Sequence, residues 1–579
     1  MAPLLLAALV LAFRPWYPTL DMAMTELRVR DVGGRQTPLI GLPGRIGDFP
    51  DQGSHPGPWS FWLIRPFHLL SGGHSWGLEL ASAVINSAAA GVALWIARRL
   101  GGRRVQLAVA ALVSVAVFGY GLSVLTHPWN PYFPLFLWLV VLLAAWAVQC
   151  GDHRMAPVVV IVGTVAAQTH VPYLLLAIAM SALTIATLAV RRDVAMLVAS
   201  FVGAGLMWLP AGVDQLRRKP GNISMLIEHF TGDTDEATIG IVGGSGVFLR
   251  HLDLPRAGFE MLRGDAAFLS VSGQTGGLAL GGLVIFLSWV AAVIFAVRHR
   301  HHVLMRLHLV LAISMTVAWF SMTRIFGKVW YYLTLWAWVT ALFVLLSLVW
   351  TTVLLVRDGF DREVLDTRVR QVGIAVLTVA TIASSVAALR VDVPEENLSS
   401  GLGAVVDATE AALRDGTGDA VGAQGRYVVF WQDVNFIGAQ GYGLVNELER
   451  RGLQVGVHNT WRVPVTPQRV FPQGTYDAEV HIVSGAFIDE WRERPGYVEV
   501  ITADPRSADE VAEFNRTRES VLQRFDELGR NDLIDILDIN LFGTSLDPDL
   551  PDDVLDDLAR MLVLTAPVAV FIAPPGSTF

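Results

Sequence analysis

The stretch TLDMAMTELRVRD, Thr19 to Asp31, places Asp21 and Glu26 directly behind a short apolar start, MAPLLLAALVLAF. Asp48, Asp51 and His55 follow in the same polar segment, together with Arg28, Arg30, Arg45 and Arg65. A carboxylate at such a place can cap an interfacial helix or take a proton. Several of them with an imidazole could instead hold a hard divalent cation such as Mg, Mn or Ca. The spacing matches no fixed metal motif, so the identity of a metal stays open. Arginine suits phosphate, because its planar fork matches the phosphate oxygens. Further cations of that kind stand in the run Arg217, Arg218 and Lys219, and in the short stretch TRIFGK, which holds Arg324 and Lys328. The segment RVRDVGGRQTPLIGLPGRIGDFPDQGSHPGPWSFWLIRPF also carries Trp59, Phe61, Trp62 and Phe67. Rings of that size need burial or a membrane surface, which argues against a disordered loop.

What must hold these groups is a membrane. The chain has 579 residues, 53% of them hydrophobic and 16% charged, with a mean hydropathy of +0.48. Soluble domains carry about 25% charge. Apolar runs predict spans at the N-terminus and near 76–98, 104–125, 131–149, 155–168, 171–190, 194–210, 276–297, 303–321, 329–355 and 371–390, eleven in all. The first is short for a span, and it lacks the basic start and cleavage site of a signal peptide. It therefore reads as a first membrane helix. One set of short loops holds Arg98, Arg99, Arg103, Arg104, Arg154, Arg191, Arg192, Arg298, Arg300, Arg306, Arg357, Arg362, Arg368 and Arg370. Cytoplasmic loops collect such positive charge. The N-terminus is then inside a bacterial plasma membrane, and the long loops 14–75 and 211–275 and all residues beyond 390 are extracytoplasmic. The net charge of −9 leaves nucleic acid out as a partner. The single cysteine, Cys150, excludes an intrachain disulfide.

Residues 1–390 thus form a membrane domain, and 391–579 change character. RYVVFWQDV, LQVGVHN, AEVHIVSG and YVEVITADP read as strands, and GYGLVNELERRG as a helix with a glycine stop. SADEVAEFNRTRESVLQRFDELG reads as an amphipathic helix opened by a capping box, Ser507 to Glu510. The last apolar run, MLVLTAPVAVFIAPP, is broken by Pro567 and reads as a helix end followed by a buried strand. The expected fold class is a polytopic α-helical membrane protein with a C-terminal extracytoplasmic α/β domain.

The first long loop opening on an aspartate, the many spans, the second long loop and the C-terminal domain together resemble the GT-C superfamily of membrane glycosyltransferases that use polyprenyl-phosphate sugars. The stretch TLDMAMTELRVRDV…TPLIGLPGRIG…SHPGPWSFWLIRPF is similar to loops of bacterial envelope members. THPWNPYFPL at 126–135 and QTHVPYLLL at 168–176 are similar to later elements of those proteins. The likeness covers residues 1–390, without the paired Asp-Asp of protein mannosyltransferases or the Trp-Trp-Asp motif of oligosaccharyltransferases. It implies transfer of a sugar, with inversion, from a polyprenyl-phosphate donor in the membrane lipid to an envelope glycan or glycolipid. Asp21 matches the catalytic aspartate of the family, with Glu26 beside it. Such chemistry needs a base for the acceptor hydroxyl and cations for the departing phosphate. Arg324, Lys328, Arg28, Arg217 and Arg218 are the candidates for the phosphate, and Asp48, Asp51 and His55 the further site candidates. Trp431, Trp461 and Trp491 could offer stacking faces to the acceptor sugar.

Two rival functions make different demands. A transporter or flippase needs charged residues or broken helices at mid-membrane, and the spans are nearly free of acids. A non-enzymatic scaffold or sensor would have a dispensable first loop. Other motifs have plain explanations. RHRHH at 298–302 is topological charge, GAQGYG at 438–443 a tight turn and helix cap, and LDPDLPDDVLDD at 546–557 a helix start with acids in its first turn.

Overall fold

The computed structural model describes residues 1–232, 237–264, 266–273, 279–359, 361–436 and 438–578. Each predicted span falls on a helix. Among the described residues seven helices are long and apolar enough to cross a membrane, and Ala2–Leu11 and Leu135–Gln149 are shorter apolar ones. The 45-residue helix Trp76–Tyr120 covers two predicted spans. Gly101 and Gly102 leave helical geometry between its arms, Gly102 at a φ of +66° that favours glycine. The arginines of that turn meet carboxylates from other turns: Arg99 lies 2.7 Å from Asp152 and Arg104 2.8 Å from Asp366. The predicted segments 155–168 and 171–190 form the hairpin Ala156–Thr169 and Leu174–Arg191. The span predicted at 276–297 is helix Leu280–Arg298, and its residues 276–278 lie outside the described residues.

The chain divides into two compact units. The first holds 1–13, 38–47 and 53–391, and the second holds 14–37, 48–52 and 392–579. The first long loop is therefore shared out. Its first stretch, including Asp21 and Glu26, packs with the C-terminal residues, whereas 38–47 and 53–75 pack with the membrane helices.

The second unit is built on one five-stranded sheet: β1 (Arg426–Gln432), β2 (Gln454–Val457), β3 (Ala478–Ser484), β4 (Val498–Ala503) and β5 (Val568–Ala573), in the order β2-β1-β3-β5-β4. β2, β1 and β3 are parallel, with Val428 opposite Gly456 on one side and Glu479 on the other. β5 runs antiparallel to both β3 and β4. Every residue of β3 and β5 is buried; β5 is apolar throughout, whereas β3 also buries Glu479 and His481, 3.1 Å from each other. Helices Glu396–Asp415 and Ala439–Arg450 pack against the sheet and each other. Helices Ala508–Glu527 and Asp552–Leu564 close a separate apolar cluster around Phe525, Leu558 and Met561. The Ser507–Glu510 capping box is formed. The 546–557 run is also as expected, with Pro551 at the N-cap and Asp552 and Asp553 in the first turn. Gly438, at φ +78°, caps the helix that GAQGYG opens, and a Cβ on Gly441 would come within 2.4 Å of the Trp431 ring. Its glycines thus serve a turn and close packing.

Candidate active site

Asp21 stands in the first turn of helix Leu20–Asp31, and Arg28 and Arg30 stand in the last turn, so its charges complement the helix dipole at both ends. Leu20, just before Asp21, has φ +46°. A left-handed conformation in a branched residue costs on the order of 1–3 kcal/mol, and such strain collects at functional sites. The helix lies along helix Ala439–Arg450. Close approach is possible because Gly443 has no Cβ, which would sit 2.7 Å from the Pro18 carbonyl oxygen.

Most charges of the helix are engaged in this packing. Arg28 is 5% exposed, and its guanidinium donates to the carbonyls of Met24, Val463 and Pro464 at 3.1, 2.8 and 2.8 Å. Burial lowers its pKa to about 10. Glu26 is fully buried and accepts from the Asn446 amide at 3.1 Å. Arg30 donates to the Asn446 carbonyl at 3.2 Å and lies 3.3 Å from Glu449. Asp31 is gripped by Arg469. Asp21 is half-buried, as Arg30 and Asp31 are. Its charge acts on Arg28 and on Tyr442, whose phenol is held protonated by burial first and by Asp21 second.

Asp48 and Asp51, the further carboxylates of the loop, are exposed, and Asp51 pairs with Arg462. His55 belongs to the other unit and is 8% exposed. Its Nδ1 accepts from the Val171 amide at 3.2 Å, and burial lowers its pKa to about 4. The groups that could have shared a cation are thus engaged separately. Among the described residues no cluster of three or more His, Cys, Asp or Glu is placed to hold a metal ion.

In the first unit the quoted stretches around 55, 127 and 170 converge with the residues after TRIFGK. The His55 and His170 rings are 5.1 Å apart, and His170 lies 6.4 Å from Tyr332. Trp129 contacts Tyr132 at 4.9 Å and Tyr332 at 5.0 Å, and the Tyr132 and Tyr331 hydroxyls are 2.6 Å apart. Trp330 stacks on Tyr332. Two cations face the Trp330 ring, Lys328 at 4.9 Å and Arg45 at 5.8 Å from its centre. Partial burial lowers the Lys328 pKa. Arg324 is exposed at the end of helix His302–Thr323. This is a cationic patch on an aromatic floor, suited to an anionic headgroup joined to an apolar chain. Arg217 ends helix Val194–Arg217 in an exposed position, and Arg218 turns back to Asp214 at 2.8 Å.

The sequence matches no family model and no curated protein. Its fold does match solved structures. ArnT from Cupriavidus metallidurans bound to undecaprenyl phosphate superposes with a TM-score of 0.50 at 14% identity, over 87% of this chain and 95% of that one. The same protein in its apo state gives a TM-score of 0.52 at 15% identity over the same shares. The chain thus shares its fold with ArnT. The oligosaccharyltransferase of Archaeoglobus fulgidus is a more distant likeness, with a TM-score of 0.39 at 10% identity, over 83% of this chain and 67% of that one.

The sequence draws attention to Asp21, Arg45 and Lys328, but not to the residues that surround them in the structure. Tyr442, Asn446, Glu449 and Arg469 lie more than 400 residues from helix Leu20–Asp31, and no local pattern pairs them with it. The aromatic run Trp330–Tyr332, two residues after Lys328, is a readable signal for the floor of the cationic patch.

Proposed function

We propose that this chain is a membrane glycosyltransferase that moves a sugar from a polyprenyl-phosphate donor to an envelope glycan or glycolipid. The observation that carries this reading is the fold shared over 87% of the chain with ArnT bound to undecaprenyl phosphate. In this chain's own residues, Asp21 is the base. Its carboxylate takes the proton of the acceptor hydroxyl as the oxygen attacks the anomeric carbon. The bond from that carbon to the phosphate oxygen breaks, its electron pair leaves with the polyprenyl phosphate, and the sugar inverts. Lys328, Arg45 and Arg324 offset the charge gathering on the phosphate. Glu26 and Arg28 act as positioning residues, because their contacts hold the helix that carries Asp21. The distribution of arginines supports an extracytoplasmic position, at a bacterial plasma membrane, for Asp21, the cationic patch and the C-terminal residues.

The test is lipid binding by the purified protein in detergent, read by native mass spectrometry with undecaprenyl phosphate and with undecaprenol, the alcohol lacking the phosphate. Retention of the phosphate but not of the alcohol supports the reading. Equal retention of both, or of neither, contradicts it.

A further inference from the structure

The tryptophans of the C-terminal unit that could meet a sugar have separate fates. Trp491 is 5% exposed, donates to the Gln432 side chain at 2.6 Å and packs against His481, Tyr497 and Phe571, so it belongs to the core. Trp431 and Trp461 converge, with ring centres 4.7 Å apart and Tyr442 at 5.1 and 6.0 Å from them. Phe49, 53% exposed, lies 5.2 Å from Trp461. Arg462, next in sequence to Trp461, forms an ion pair with Asp51, whose side chain is 74% exposed.

The place of this cluster in the sheet is a second, independent observation. Trp431 lies near the carboxyl end of β1, and Trp461 follows the carboxyl end of β2. β1 stands between β2 and β3 in a parallel arrangement: the chain passes from β1 outward to β2 and then back past β1 to β3, so the strand order reverses between β1 and β3. Open α/β sheets bind ligands in the crevice beyond the carboxyl ends of strands at such a switch point. Asp433 and Ser484 stand at those ends, hydrogen-bonded at 3.1 Å. Tyr442, which feels the Asp21 charge, ties the cluster to the proposed base.

We infer that Phe49 and Trp461, floored by Trp431 and Tyr442 and flanked by Asp51 and Arg462, bind the acceptor as a carbohydrate. A sugar ring lays its C–H face on the aromatic rings and exchanges hydroxyl hydrogen bonds with the carboxylate and the guanidinium. Other ligand classes fit less well. A hydrocarbon chain would strip water from the ion pair without replacing its hydrogen bonds. A phosphate would meet the charge of Asp51. The inference rests on the transferase reading and specifies the acceptor class within it.

Saturation-transfer NMR of the full chain in nanodiscs tests it, with maltotetraose, cellotetraose, mannotetraose and an arabinan tetrasaccharide as probes. At least one probe binds, with saturation concentrated on ring C–H protons. Phe49→Ala and Trp461→Leu each weaken that binding about tenfold or more, the equivalent of one lost stacking contact, and Trp461→Phe restores most of it. Phe49 is exposed, so its substitution leaves the fold intact. Failure of every probe to bind, or binding indifferent to both substitutions, overturns the inference. Failure of the transferase reading shows elsewhere, as equal retention of undecaprenol and undecaprenyl phosphate with glycan binding intact.

Discussion

Arg469 holds both carboxylate oxygens of Asp31, at 2.8 and 2.9 Å, while the same guanidinium reaches a Glu449 oxygen at 2.8 Å. Its side chain is 7% exposed. This one cation ties the end of helix Leu20–Asp31 to helix Ala439–Arg450, and through it fixes the helix that carries Asp21. Burial disfavours the Glu449 charge, but the Arg469 hydrogen bonds and charge hold its pKa below the ordinary value of 4.5. Removing one partner of a buried pair leaves a charge uncompensated and costs about 3–5 kcal/mol. Arg469→Gln therefore lowers the unfolding midpoint of the C-terminal unit, measured by denaturant titration with a reporter in that unit. Because the folded pKa of Glu449 is depressed, its contribution is present above about 4.5 and is lost as the pH falls through the folded value. The acid-induced loss is accordingly smaller in Arg469→Gln than in the wild type.

A second pH effect belongs to the membrane unit. His55 is buried and neutral with a pKa of about 4, against an ordinary 6.5. Between these values the unfolded chain binds a proton that the folded one does not, so stability falls as the pH drops from 6.5 toward 4. The loss is about 3 kcal/mol if fully expressed. His55→Asn keeps an acceptor for the Val171 amide and cannot titrate. It flattens this part of the profile of thermal midpoint against pH, while an unchanged slope assigns the effect to another group.

The cationic patch makes a graded prediction. Lys328→Met and Arg45→Met each weaken retention of undecaprenyl phosphate. Trp330→Leu, which removes the floor beneath both cations, weakens it by about two- to fivefold, the size of an exposed cation–π contact. Retention of undecaprenol does not respond to the cation changes. A titration of lipid against protein by native mass spectrometry measures all three.

Orientation is open to direct labelling. In a Cys150→Ser background, cysteines at Gln36 and Val421, both exposed, react with an impermeant thiol reagent on intact cells. A cysteine at exposed Arg191 reacts only after the membrane is breached. The reverse pattern would put Asp21 on the cytoplasmic side and remove the proposed donor geometry.

The apolar helices and the strands and helices of the C-terminal residues were legible because hydrophobic runs and strand–helix alternation are local signals. The Gly101–Gly102 break shows why two spans could be read from what is continuous helix by hydrogen bonding. The acid at Asp21 was legible from its place after the first helix. What the wealth of charge in the first loop meant was not. Glu26, Arg28, Arg30 and Asp31 look like a reactive cluster in sequence, yet their partners are Asn446, Val463, Pro464, Glu449 and Arg469. Contacts across such separations leave no periodic trace. Likewise, Trp461 and Trp491 are equivalent in sequence, and only the sheet puts one beside Phe49 and the other in the core.

The most direct test of the account is the release of undecaprenyl phosphate from labelled undecaprenyl-phosphate sugars by the purified full chain, with an envelope glycan fraction as acceptor, in the wild type and in Asp21→Asn. The amide keeps the size of the side chain and cannot accept the proton. The account predicts acceptor-dependent release by the wild type and a loss of about a hundredfold or more in Asp21→Asn, the contribution of a general base. Thermal stability is unchanged and retention of undecaprenyl phosphate undiminished. Release at the wild-type rate by Asp21→Asn, or no release by the wild type from any polyprenyl-phosphate sugar, would contradict it.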